Sequence, residues 1–364
     1  MDSNLFQQLG LKYPLIVAPM AGGPSSVELV AAASAAGALG AMGGAYLNAA
    51  TIETFTAQVR QRTDKPFSIN LFIPHSIPEV GTDRLERAVA ATAGYRQELK
   101  LPSPQLSPPY EEDFDAQFEA VLRIKPACFS FVFGLLPADH GREAKKAGIP
   151  LIGTATTLDE AKALEESGVD AIVLQGFEAG GHRGIFDARA VDPEIGMRDL
   201  LARCVGTIRV PLIAAGGIMS PSDIRAALQA GAQAVQMGTA FLACAEAGTS
   251  APYRKKLLET PERKTRTTRA FSGRFARGIE NRFMDEMDGK PDAILPFPAQ
   301  NKFTRDIRAA STAKGSPDFL SLWSGTGKGE LWQGSAAELI GRLFAERRSK
   351  RKEPASRLPI TFQD

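Results

Sequence analysis

Apolar residues along this chain gather into short, nearly continuous runs, separated by longer stretches in which they recur every three to four positions. The runs are PLIVA at 14–18, ALGAM at 38–42, FSINLF at 67–72, ACFSFVF at 127–133, PLIGT at 150–154, DAIVLQ at 170–175, PLIAA at 211–215 and QAVQMG at 233–238. Runs so short and apolar along their length predict strands buried on both faces. The intervening SSVELVAAASAAG, TIETFTAQVRQR, TLDEAKALEESG and SPSDIRAALQAG carry helical spacing, and several close on glycine. Eight such strand and helix alternations predict a parallel α/β sheet closed as a (β/α)8 TIM barrel, with a doubly wound sheet as the alternative.

Two stretches break the alternation. Residues 74–112 contain PHSIPEVG and LPSPQLSPPY around a helical middle, which reads as an excursion between the third and fourth strands. Residues 245–330 are rich in charge, glycine and proline and precede the amphipathic SAAELIGRLFAERR. The expected division is therefore a barrel over 1–244, a smaller inserted substrate or cap region over 245–330, the last barrel helix over 331–350 and a solvated tail over 351–364.

Composition narrows the classes. A net charge of +2, from 43 basic and 41 acidic residues, argues against a dedicated nucleic-acid binder. Cys128, Cys204 and Cys244 form no CxxC pair, so neither a disulfide framework nor a thiolate metal site is expected. The start MDSNLFQQLG lacks a basic region followed by an apolar one, and no apolar run approaches the ~18 residues of a membrane span. These features lead us to expect a cytoplasmic protein without a membrane partner. Nine Lys or Arg between Arg254 and Arg277 read as a solvated face or a contact between subunits of a homo-oligomer.

Chemistry should sit at the carboxyl ends of the barrel strands. There the chain places Met20 in PMAGG, Asn70, Gln175, Gly180 and Gly181 in GFEAGGHRGIF, Gly217 in AAGGI, and Gln236, Met237, Gly238 and Thr239. Glycines after the sixth, seventh and eighth strands, with a helix opening near Ser220, suit a phosphate held by backbone N–H groups. With no GxxxxGK[ST] and no GxGxxG at a first βα turn, a mononucleotide such as FMN fits better than ATP or NAD. Asn70 and Gln175 could meet a flavin ring edge or bond neighbouring loops, and Met20 could face the ring or fill the core.

His182 stands in the glycine loop after the sixth strand, which singles it out as a catalytic donor or base. His75 and His140 lack that setting, and the histidines lie at least 42 positions apart, so no metal ligation is expected. Glu178 and Arg183 either tune His182 or form an exposed pair. Trp323 and Phe297 are candidates to close the pocket from the inserted region.

These residues carry a resemblance. PMAGG at 19–23, SINLF with Asn70, QGFEAGGHRG at 175–184, AAGGI at 214–218, QMGTAFL at 236–242, RAFSGRFARGIENRF at 269–283, PFPAQN at 296–301 and FLSLWSGTG at 319–327 resemble the nitronate monooxygenases, formerly 2-nitropropane dioxygenases. The resemblance implies an FMN-containing TIM barrel that oxidises alkyl nitronates, propionate 3-nitronate included, with O2 to a carbonyl compound and nitrite. It puts FMN contacts on Met20, Asn70, Gln175, Gly180, Gly181, Gly217, Gln236, Gly238 and Thr239 and the active-site histidine on His182. One departure is Leu322-Trp323-Ser324-Gly325-Thr326-Gly327, where the family commonly reads LWAGQG. An FMN- and NADH-dependent enoyl-thioester reductase and a non-catalytic phosphate-ligand barrel are the competing expectations.

Overall fold

The computed structural model describes residues 5–76, 79–260 and 262–345. Its centre is a closed parallel barrel of eight strands. They are β1 (Leu15–Val17), β2 (Leu39–Gly43), β3 (Phe67–Phe72), β4 (Cys128–Val132), β5 (Leu151–Ala155) and β6 (Ala171–Gln175), then, after a short strand β7 (Gly181–His182) that lies outside the barrel, β8 (Leu212–Ala215) and β9 (Ala234–Met237). Each apolar run thus became one barrel strand. β9 closes the ring on β1, pairing Ile16 with Gln236.

The two faces of each strand bury different partners. Leu15 and Val17 point outward to the helical layer with Leu29 and Val30, whereas Ile16 points into the barrel with Ile152, Val173 and Ile213. Residues two apart share a face, so a strand flanked by helix and lumen must be apolar throughout. Leu5 and Phe6 of the helix Leu5–Gln8 pack against that inner cluster. Helix starts are fixed by side chains accepting backbone N–H groups: Ser26 from Leu29, Asn48 from Thr51, Asp113 from Ala116 and Thr157 from Glu160. The last helix, Ala336–Phe344, opens with a Ser335 and Glu338 capping box. It is shorter than the 331–350 expected from sequence; residues 346–350 and the tail at 351–364 lie outside the described residues.

A second layer covers the carboxyl ends of the strands. β10 (Thr265–Thr268), β11 (Ala276–Ile279) and β7 form a three-stranded antiparallel sheet. β7 belongs to the glycine loop after β6, so the segment bearing His182 is shared by barrel and cover, with His182 opposite Ala276. The 74–112 excursion contains the helix Thr82–Leu99, whose Tyr95 and Leu99 join Phe271, Phe283, Met284 and Phe319 in one apolar cluster. Arg96, buried, pairs with Asp306 at 2.7 Å and ties the excursion to the helix Arg305–Ala313. The cover is therefore built from both excursions together.

The basic stretch from Arg254 to Arg277 departs from the solvated face expected of it. Arg263, Arg274 and Arg277 are only 4, 2 and 5 % exposed. Arg274 lies 4.0 Å from the ring centre of Phe133 and Arg277 4.3 Å from that of Phe177. Aromatic faces and backbone carbonyls supply what water would, so a local excess of charge did not translate into exposure.

Candidate active site

A cavity of about 570 Å³ opens at the carboxyl ends of the barrel strands, beneath the cover. Its lining includes all the residues expected to contact the cofactor or to act in catalysis, Met20, Asn70, Gln175, Gly180, Gly181, His182, Gly217, Gln236, Met237, Gly238 and Thr239, together with Trp323 but not Phe297, Glu178 or Arg183. Residues drawn from the ends of β1, β3, β6, β8 and β9 meet there because parallel strands deliver their carboxyl ends to one rim.

The glycines give this rim its shape. Gly181 has φ of +79° with nothing within 4 Å of where a Cβ would stand, and Gly217 has φ of +72°. Gly180 approaches the 324–327 segment so closely that a Cβ would lie 2.5 Å from the Gly325 nitrogen. Among the described residues, the backbone N–H groups of Gly217, Ile218, Gly238 and Thr239 meet no acceptor, leaving a row of donors along the cavity wall. The helix Pro221–Gln229, whose amino terminus was expected to help hold an anion, is already capped: the Asp223 carboxylate accepts from Met219 N–H at 3.1 Å, Ser220 N–H at 3.0 Å and the Ser220 hydroxyl at 2.8 Å. The unpaired N–H groups at this end of the cavity are therefore those of the loops and not of the capped helix.

Polar strand-end side chains divide their work. The Asn70 amide donates to Ser130 Oγ at 3.0 Å, which leaves its carbonyl oxygen for the cavity. Gln175 is largely spent on the loop that follows it. Its Nε2 donates to His182 O at 3.0 Å, and its Oε1 accepts from Gly184 N–H at 2.8 Å and Arg183 Nη1 at 2.9 Å. Gln175 thus folds the glycine loop back on the strand and presents His182. Met20 lines the cavity and also packs on the apolar residues beside it, so its two readings are compatible.

His182 is ringed by Phe72, Phe133, Phe297 and Trp323, with centroids 5.9, 5.9, 6.3 and 5.6 Å away. Its Nε2 lies 2.8 Å from Ser272 Oγ. The Ser272 hydroxyl has one proton, which reaches Arg274 O at 3.2 Å. Assigned from this network, Nε2–H donates to Ser272 and Nδ1 is left as an acceptor without a protein partner among the described residues. Burial, followed by the nearby cations Arg274 and Arg308, pushes the His182 pKa from 6.5 down to about 3. The ring is neutral at physiological pH.

Glu178 and Arg183 are not an exposed pair. Arg183 is 1 % exposed and binds Asp192 at 2.6 Å, while Glu178 accepts from Met197 N–H at 2.9 Å. His182, the last residue of β7, lines the cavity, whereas the next residue, Arg183, does not and turns to Asp192 instead. His75, set aside in the sequence, accepts from Arg274 at 2.9 Å, and His140 lies 3.0 Å from Asp115, so both have structural partners. Among the described residues no group of acidic, histidine and cysteine side chains could hold a metal.

The cover adds residues that the sequence did not single out. Ser272 and Arg274 appear there only inside the quoted RAFSGRFARGIENRF. Arg305, Arg308, Ala309 and Thr312 line the cavity from one face of the helix Arg305–Ala313, at a spacing that could have been noticed. Arg308 donates to Asn301 Oδ1 at 2.8 Å, and burial lowers its pKa. Arg305 is exposed and forms no hydrogen bond or ion pair with any described residue. No aspartate or glutamate lines the cavity among the described residues, so its side-chain charge is purely positive.

Comparison with known proteins agrees with this geometry. The family model for nitronate monooxygenase matches residues 3–346. A probable nitronate monooxygenase of Bacillus subtilis (strain 168) is 36 % identical over 94 % of this chain and 99 % of its own length, and one of Staphylococcus aureus (strain MSSA476) is 38 % identical over 89 % and 91 %. Among solved structures, nitroalkane oxidase from Streptomyces ansochromogenes superposes with a TM-score of 0.87 at 34 % identity, covering 93 % of this chain and 96 % of that one. FabK from Thermotoga maritima, at 23 % identity over 94 % and 95 % with a TM-score of 0.72, shares the fold. With the barrel, the glycine rim and a whole-length match in agreement, the chain belongs to the nitronate monooxygenase family of flavin-dependent oxidoreductases.

Proposed function

We propose that this protein binds FMN in the rim cavity and oxidises alkyl nitronates with O2 to a carbonyl compound and nitrite. The carrying observation is the cavity's charge: a neutral His182 beside Arg305 and Arg308, with no carboxylate lining the space among the described residues. A pocket of that sign favours a substrate that arrives as an anion, which a nitronate is and its parent nitroalkane is not. About 570 Å³ falls within the range of small-molecule sites.

The residues present fit FMN. The free N–H groups of Gly217, Ile218, Gly238 and Thr239 offer a seat for its phosphate, Gly181 leaves open the space a side chain would fill, and Asn70 and Gln236 border the ring region. When bound, FMN supplies the redox chemistry. The chain's own groups bind, orient and move protons. Arg305 and Arg308 hold negative charge, and Arg305, unpaired at the cavity, suits the carboxylate of a substrate such as propionate 3-nitronate. His182 Nδ1 can accept the carbon-bound proton of a neutral nitroalkane. Burial and the neighbouring arginines oppose the imidazolium so formed, but the nitronate anion made in the same step offsets that cost. Phe72, Phe133, Phe297 and Trp323 keep water from the ring.

The test is anaerobic reduction of the reconstituted protein by a panel of nitronates and by NADH, followed by nitrite release in air. Rapid bleaching by a nitronate with indifference to NADH supports the reading. Bleaching by NADH with no response to any nitronate would overturn it.

A further inference from the structure

Arg263 has no role in the chemistry above, yet it is a buried guanidinium without a carboxylate. It is 4 % exposed and forms no ion pair with a described residue. Its Nη2 donates to Gly327 O at 2.6 Å and to Gly329 O at 3.0 Å, and its Nη1 donates to Gly329 O at 3.0 Å. Its Nε has no acceptor. Burying a charge is costly unless its partners are fixed, so spending one on two carbonyls of a glycine-rich segment needs a reason.

The reason lies in what that segment touches. Gly325 N–H donates to Thr239 Oγ1 at 3.0 Å, and Thr326 N–H donates to Glu178 O at 3.0 Å. A Cβ on Gly327 would lie 2.7 Å from Gly217 O, and one on Gly180 2.5 Å from Gly325 N. The segment therefore rests, backbone against backbone, on the loops after β6 and β8, and on the Thr239 hydroxyl two residues past β9. Beyond Gly325 its side chains Thr326, Lys328 and Glu330 are exposed, so they do not anchor it. Among the described residues, Arg263 is the side chain from outside the segment that holds its Gly327 and Gly329 carbonyls.

We propose that Arg263 is a positioning residue that latches residues 324–329 as a clasp across the three glycine loops, and that the latch sets how slowly the bound cofactor leaves. The proposal rests on the FMN reading of the cavity. It concerns retention of the cofactor, a property separate from turnover.

The experiment uses the full chain loaded with FMN and follows the recovery of free-flavin fluorescence after rapid dilution, in wild type, Arg263→Met, Arg263→Lys and Lys264→Met. Lys264 is the adjacent cation, exposed and paired with Glu280, and serves as the control. Arg263→Met should release flavin at least about tenfold faster, the least expected for losing a hydrogen bond from a charged donor. Arg263→Lys, able to reach one carbonyl, should fall between, and Lys264→Met should match wild type. Arg263→Met release within twofold of wild type overturns the latch. If Arg263→Met does not fold, Arg263→Lys decides: release faster than wild type supports the latch and an unchanged rate overturns it. A wild-type chain that takes up no FMN overturns the cofactor reading and the latch with it.

Discussion

Replacing His182 by asparagine should change how the protein's stability responds to acid, and the size of the change follows from the structure. Burial and the Arg274 and Arg308 cations lower the His182 pKa from 6.5 to about 3. A depressed pKa means that the unfolded chain binds the proton first, so the contribution is fully present above about pH 6.5 and is lost as pH falls toward 3. The slope in that window is at most about 1.36 kcal/mol per pH unit. Taken from pH 7 to pH 5 it integrates to about 2 kcal/mol, an upper bound because one edge of the ring meets the cavity. Urea unfolding of wild type and His182→Asn at both pH values measures it. The wild type should lose about 2 kcal/mol more than the variant, while background carboxylates and histidines cancel in the difference. A difference that does not change between pH 7 and pH 5 would refute the claim that the site holds this ring neutral. Nδ1 would then be a stronger proton acceptor than the depressed pKa allows.

Other substitutions probe neighbouring links. Ser272→Ala removes the 2.8 Å partner that fixes the His182 tautomer; nitrite formation from a neutral nitroalkane should drop about tenfold while turnover of the preformed nitronate changes little, and equal losses on both would count against the tautomer argument. Arg305→Gln should raise KM for propionate 3-nitronate about tenfold and leave KM for an uncharged alkyl nitronate within about twofold, a contrast that steady-state kinetics on the two substrates can deny. Asp192→Ala strands the buried Arg183 and should destabilise the fold by about 3 kcal/mol in urea titration; a loss below about 1 kcal/mol would show that Arg183 finds another partner.

What could be read from the chain and what could not separate along a physical line. The barrel strands were legible because burial on both faces forces an apolar run, a local signal that survives without knowing the partner. The glycine rim was legible for a related reason: positive φ at Gly181, Gly216 and Gly217 is a demand on the backbone that glycine meets most cheaply. His182 could be located because it follows the sixth such run. Its pairing could not, since β7 is two residues long and its partner Ala276 lies 94 positions onward by residue number (276 − 182). The burial of Arg274 and Arg277 is hidden from local sequence for the same reason. Their solvents are Phe133, Phe177 and backbone carbonyls from other segments, and nothing within the local run of charge announces them. Arg305 and Arg308 share a helix face with Thr312, but that this face meets the cavity depends on Ile307 being buried on the other side. The barrel side of the site is thus built from backbone shape, which local sequence encodes, and the cover side from charge placed by long-range packing. Substitutions at the rim should therefore register first in cofactor binding, and substitutions in the cover first in which nitronate is accepted.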